Sequence, residues 1–343
     1  MVSLECDYNN GACDQILQRL LETNRERLPG YGTDKYSLAA KEKIRSACGC
    51  QDAEVEFLAG GTQTNAVVIS SLLRDHEGAV SATTGHINQH EAGSIEYTGH
   101  KILELPGIHG KLSADVLRDY LLQFHSDPNR EHMVWPGLVY VSHPTEYGTL
   151  YTKSELSSIS AVCKGYGIPL YLDGARLGYG LMSRDTDLAL QDIARLCDVF
   201  YIGGTKVGAL CGEAVVFSGI RKPMHFTNAV KKRGALLAKG RLVGLQFDTL
   251  FTDDLYFRLG EHGIRMAERM INILRDRKIP FFLETPTNQQ FILLEDGLLA
   301  TLSEQVSFSY WEKADEEHTV IRLATSWATT EDELEALRKA LVF

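Results

Sequence analysis

The sequence has no run of about 18 uninterrupted apolar residues, and its opening, MVSLECDYNN, lacks the basic stretch and apolar run of a secretory leader. Neither a membrane span nor an export signal is expected, and a cytoplasmic location is. Positive charge is in short supply: 35 basic residues face 45 acidic ones, a formal net charge of -10. That balance argues against nucleic acid or an anionic membrane as a partner. The seven cysteines (Cys6, Cys13, Cys48, Cys50, Cys163, Cys197, Cys211) are odd in number and scattered, unlike a disulfide framework. Two familiar phosphate loops are absent as well. No Gly-Lys-Ser/Thr follows a glycine turn, and no GxGxxG occurs at a strand end.

What the chain does have is length and alternation. A single core stops growing at roughly 250 to 300 residues, so 343 residues predict two domains, 1–245 and 246–343. Strand-like runs (Val55 to Leu58, Gly137 to Ser142, Ile168 to Leu172, Val199 to Ile202, Ala214 to Phe217) alternate with helical stretches. This predicts an α/β fold with a mostly parallel sheet covered on both faces. A basic helical passage is read over Arg221 to Arg241, then a long helix over Leu255 to Asp276. Short strands beyond it (Phe281 to Leu283, Gln290 to Leu294, Val306 to Trp311, Val320 to Thr325) predict a smaller α+β domain.

Three strand ends carry chemistry. Lys206 follows Gly203-Gly204-Thr205 and precedes Val207, Ala209 and Leu210. Apolar surroundings disfavour an ammonium ion and so make the amine a usable nucleophile; a solvated turn lysine is the plainer alternative. Asp173 ends a hydrophobic strand, where open α/β sheets put their ligands. The strand, glycine turn and helix start at Gly60-Gly61-Thr62 form an anion site if the free N–H groups of the first turn face a phosphate; an ordinary capped helix has the same signature. His86 and His90 have metal-ligand spacing, but their segment is glycine-rich without further clustered ligands, and no metal is expected.

Taken together, GGTQTN, GHINQHEAG, DGARLG, GGTKVGALCGEAVVF and RLATSW resemble the threonine aldolase group of pyridoxal-phosphate lyases, in their order and over nearly the whole chain. The resemblance implies an aspartate-aminotransferase-type fold, with pyridoxal 5'-phosphate bound covalently to Lys206. It also implies Asp173 on the pyridine nitrogen, Gly61, Thr62 and Thr205 at the phosphate, and His86 against the ring. Arg176 and Arg322 fall where relatives bind the substrate carboxylate, and Cys6 where a substrate-contacting serine is common. Tyr31 matches a tyrosine that reaches the site across a subunit interface, so a homodimer or homotetramer is implied. Where many relatives have a histidine, this chain has Thr145. In another branch the second histidine stands earlier, at the position of His132, which makes His86 and His132 the candidate bases.

The implied reaction splits a β-hydroxy-α-amino acid into glycine and an aldehyde. A β-eliminating lyase on the same fold and a cofactor-free phosphate-binding protein remain open as alternatives.

Overall fold

The computed structural model describes residues 1–342. Its central sheet has seven strands, in spatial order Glu54–Leu58, Glu213–Phe217, Val199–Gly203, Leu170–Asp173, Trp135–Ser142, Glu77–Ala82 and Ile102–Leu105. All neighbours are parallel except at Glu213–Phe217, which runs antiparallel to both strands beside it. Two apolar clusters cover the two faces. One gathers Ile16, Ile44, Val139, Leu172, Phe200 and Ile202; the other gathers Val67, Leu138, Tyr140, Tyr171, Tyr201 and Val215. Successive residues of one strand therefore feed opposite layers, as the period of two requires.

The C-terminal part is a four-stranded antiparallel sheet in the order Ser309–Lys313, His318–Ala324, Gln289–Glu295, Phe281–Leu283. The helices Leu255–Asp276 and Glu331–Ala340 supply Met266, Met270, Leu274, Leu334 and Leu337 to its core. The first residues of the chain belong to this layer: Val2–Ser3 pairs in parallel with Val306–Ser307, and Leu4 is fully buried in the same cluster.

Two expected elements are interrupted. The run 306–311 splits at Phe308 into a strand that pairs with the N-terminus and one that joins the four-stranded sheet. The passage 221–241 is not one helix. Phe226–Lys232 stops at Gly234, whose φ of +69° only glycine takes up easily, and a second helix runs over Arg241–Leu250. Among the described residues no helix is long and apolar enough to cross a membrane.

Candidate active site

The carboxyl ends of the central strands converge on one cavity of about 480 Å³, whose wall includes Tyr8, Thr84, His86, Glu146, Arg176, Lys206, Trp311 and Arg322. Its floor depends on two glycines. A Cβ on Gly203 would lie 2.4 Å from the carbonyl oxygen of Ala175, and one on Gly174 would lie 2.0 Å from that of Tyr201. Only bare backbone lets the strands ending at Asp173 and Gly203 run this close, with Gly203 N–H donating to Gly174 at 3.0 Å. Asp173 and Lys206 are delivered side by side as a result.

Lys206 leaves a turn in which Val207 and Ala209 N–H groups both donate to Gly204. Val207 and Ala209 are buried as expected, whereas Leu210 is turned outward. Desolvation, reinforced by the positive charge of Arg176, pulls the lysine from 10.5 down to about 8, against the opposing pull of Asp7, Asp173 and Glu213. Glu213 is buried beside it, and the same desolvation pushes its carboxyl up. Its oxygens accept from Thr205 Oγ1 at 2.8 Å and Gly204 N at 3.2 Å. Thr205 therefore differs from expectation. Its hydroxyl proton is committed to Glu213, and its oxygen accepts from Gly212 N, so it holds the lysine turn rather than offering a donor to a phosphate.

Asp173 is buried and accepts from Ala175 N, Asn65 Nδ2, Tyr140 Oη and Tyr201 Oη. Burial alone would raise its pKa; the nearby His86 and these hydrogen bonds outweigh burial and hold the carboxylate ionised. The same Asn65 Nδ2 donates to Glu91 at 2.7 Å, and Glu91 meets His86 Nδ1 at 2.8 Å. Glu91 Oε2 accepts from Ser94, so the carboxylate is an acceptor throughout and Nδ1 carries its proton. A continuous chain His86–Glu91–Asn65–Asp173 thus fixes the imidazole and the acid relative to each other. Asn65 and Glu91 lie outside the sequence expectation. A helical asparagine and an acid five residues after a histidine are each too common to single out.

The helix Gly61–Leu72 opens beside this network. A Cβ on Gly61 would stand 3.1 Å from Tyr201 Oη. No side chain caps it, and the N–H groups of Gly61, Thr62 and Gln63 receive no partner from the described residues.

The two expected arginines both face the cavity. Arg176 is not free, however: Nε and Nη2 bind Asp7 Oδ2 and Oδ1 at 2.7 and 2.9 Å, leaving Nη1 without a partner among the described residues. Arg322 rests near the Trp311 ring, donates to Gln289 and Ser309, and keeps a buried Nε with no partner. Cys6 precedes Asp7 and neighbours Arg322, but it is not part of the cavity wall. Tyr31 is exposed at φ +58°. It lines a separate pocket with Lys41, Phe57 and Phe226 rather than the cavity of its own chain. His132 is a correction. It sits exposed in the short turn Arg130–His132 just before the strand Trp135–Ser142, at the opposite end of that strand from the cavity. Thr145, in the position of the missing histidine, is buried and bonds Thr149 and the His109 carbonyl. Among the described residues no cluster of three or more His, Cys, Asp or Glu side chains is placed to hold a metal ion.

An ionised acid locked at a strand end, a flat imidazole, a lysine of depressed pKa and an uncapped helix start are together a fitting set for pyridoxal phosphate. Fold and site define a pyridoxal-phosphate enzyme of fold type I. The chain belongs to the Beta-eliminating lyase family, whose sequence profile matches residues 7–281. It is 41% identical to a threonine aldolase of Leishmania major, with a TM-score of 0.95 over 99% of this chain and 98% of that one. It is 29% identical over 299 residues to the low specificity L-threonine aldolase of Pseudomonas aeruginosa, spanning 86% of this chain and 85% of the relative. An aspartate aminotransferase of Thermus thermophilus shares the fold, with a TM-score of 0.68 at 14% identity.

Proposed function

We propose that this chain cleaves the Cα–Cβ bond of a β-hydroxy-α-amino acid of the threonine or allo-threonine type, giving glycine and an aldehyde. The observation that carries the reading is the pairing of Lys206 with the His86–Glu91–Asn65–Asp173 chain at one end of the sheet, beneath two arginines. Lys206 would hold the cofactor covalently, Asp173 its ring nitrogen, the Gly61–Gln63 N–H groups its phosphate, and the plane of His86 its ring. Bound there, pyridoxal phosphate supplies an electron sink for the pair left on Cα when the bond breaks.

The protein's own part is placement. Arg322 and the free Nη1 of Arg176 grip the substrate carboxylate, which leaves the side chain toward His86 and Trp311. The depressed pKa of Lys206 gives it a far larger neutral fraction near physiological pH than an ordinary lysine has, and the neutral amine is the form that can bond the cofactor.

Threonine and allo-threonine incubated with the purified enzyme should release glycine and acetaldehyde. Pyruvate or another oxo acid with ammonia would identify β-elimination instead.

The reading includes a cytoplasmic homodimer or homotetramer with sites shared between subunits. Supporting it, Leu17, Leu21, Tyr31 and Leu38 are exposed on the N-terminal segments, and Lys231 lies 5.1 Å over the Tyr31 ring, a basic group at the same surface. Light scattering should give two or four times the 38.2 kDa chain mass; a monomer that cleaves threonine would remove the shared-site element.

A further inference from the structure

Glu146 follows the strand Trp135–Ser142, as Asp173 ends the strand beside it. Its residue is only 8% exposed. One oxygen is fully used: Oε1 accepts the backbone N–H of His86 at 2.8 Å and the hydroxyl of Ser142. The other, Oε2, is buried without any partner, and Glu146 is part of the cavity wall. Thr84, on the same wall, has a buried hydroxyl that is also unpartnered. Buried polar atoms in native proteins are nearly always satisfied, so two orphans on residues that line one cavity mark the place where something else completes them.

Resting on the reading just given, we propose that Glu146 is a catalytic residue whose Oε2 takes the proton from the substrate's β-hydroxyl, with the Thr84 hydroxyl holding that oxygen in place. The carboxylate accepts the hydroxyl proton, and the O–H electron pair becomes the second bond of the aldehyde carbonyl. The Cα–Cβ bond breaks, leaving its pair on Cα. After the aldehyde departs, Glu146 releases its proton to water, restoring the carboxylate, and Cα takes a proton from water by way of the Lys206 amine, completing glycine. Burial raises the Glu146 pKa, which makes its anion a stronger base. The titratable groups around it are His86 on its short helix, Asp173 at the neighbouring strand end, Tyr140 on the strand that precedes it, and Tyr147 and Tyr151 just after it. His86 is held edge-on by Glu91 at Nδ1, which suits it to pack against a ring, while the Glu146 oxygen has no other employment.

Glu146→Gln tests this, because an amide oxygen can still accept the His86 N–H. Two activities of the holoenzyme are compared: threonine cleavage, and exchange of the glycine α-hydrogen for deuterium, which uses the cofactor, Lys206 and the arginines but involves no β-hydroxyl. Cleavage should fall by about 10²- to 10⁴-fold, with exchange and the bound-cofactor absorbance retained. Cleavage close to the parent rate, or a parallel loss of exchange, overturns the proposal.

Should the amide variant not fold, Glu146→Asp decides. It should cleave slowly with a displaced acidic limb in kcat/KM, and an unmoved limb counts against the role. A parent enzyme that releases no glycine from threonine refutes the function itself, a result distinct from a parent that cleaves and a variant that cleaves equally well.

Discussion

Asp7 and Arg176 form a two-point ion pair, Nε to Oδ2 and Nη2 to Oδ1, with the aspartate side chain wholly shielded from solvent and also bonded by Asn288 at 2.9 Å. The pair joins the N-terminal segment to the central sheet, and through Asn288 to the C-terminal layer. It also spends the fork that would otherwise face a substrate carboxylate. Burial alone would raise the Asp7 pKa, but the positive charges of Arg176 and Lys206, with the Arg176 and Asn288 hydrogen bonds, take it down from 3.8 to about 2.

Because the folded-state value lies below the unfolded one, the stability this carboxylate contributes is complete above about pH 4 and disappears as pH falls toward 2. Removing one member of a buried pair strands the other. Asp7→Asn should therefore cost about 3 kcal/mol at pH 7, and the gap between variant and parent should narrow below pH 4. Urea midpoints at pH 7 and pH 3 measure both. Equal midpoints at pH 7 would show that the pair contributes nothing.

Lys206 should react with pyridoxal phosphate as a neutral amine. With its pKa depressed to about 8, the loading rate of the cofactor-free chain should climb with pH and level off above that value. A lysine at the ordinary 10.5 would go on climbing. Lys206→Ala should abolish turnover and leave cofactor that gel filtration removes even after borohydride treatment.

His132→Phe should leave cleavage within about twofold of the parent, since exposed positions away from the site are close to neutral. The side chain is on the surface at the far end of its strand. A large drop in kcat would mean that a neighbouring subunit brings it to a cavity.

The different fates of these residues follow from how locally each is encoded. Lys206 and Asp173 were legible because an apolar strand and a glycine turn adjoin them in the sequence, so both the element and its end can be read from a few positions. The partners that set their chemistry were not. Asn65 reaches Asp173 across 108 residues and Arg176 reaches Asp7 across 169, and no periodicity reports a contact at that range. Glu146 is the intermediate case. It follows a buried strand just as Asp173 ends one, and the rule that drew attention to one acid at a strand end applied to the other. His132 failed for the opposite reason: the resemblance put it at the place of a second histidine found in another branch, while the direction of the strand that follows it leaves it at the end away from the cavity. Gly234, at a φ of +69°, ended a helix in a passage that composition alone had made helical throughout.

Arg322 remains the arginine with capacity to spare. Its Nη1 and Nη2 meet only the neutral oxygens of Gln289, Ser309 and Glu5 and its buried Nε is unpartnered, whereas the charge of Arg176 is already matched by the Asp7 carboxylate. Desolvation, with Arg176 close by, lowers its pKa, the mark of a cation held where an anion would be welcome. If the substrate carboxylate supplies that anion, Arg322→Ala should raise KM by roughly 10- to 100-fold, the worth of a charge-assisted hydrogen bond of about 1.5 to 3 kcal/mol. Because a carboxylate bound equally in ground and transition states affects KM alone, kcat should change much less. Arg322→Lys should lie nearer to alanine than to the parent, since an ammonium keeps the charge but lacks the planar two-point fork. A lysine variant with parental KM would show that charge alone suffices at this position, and an alanine variant with parental KM would pass the carboxylate to Nη1 of Arg176.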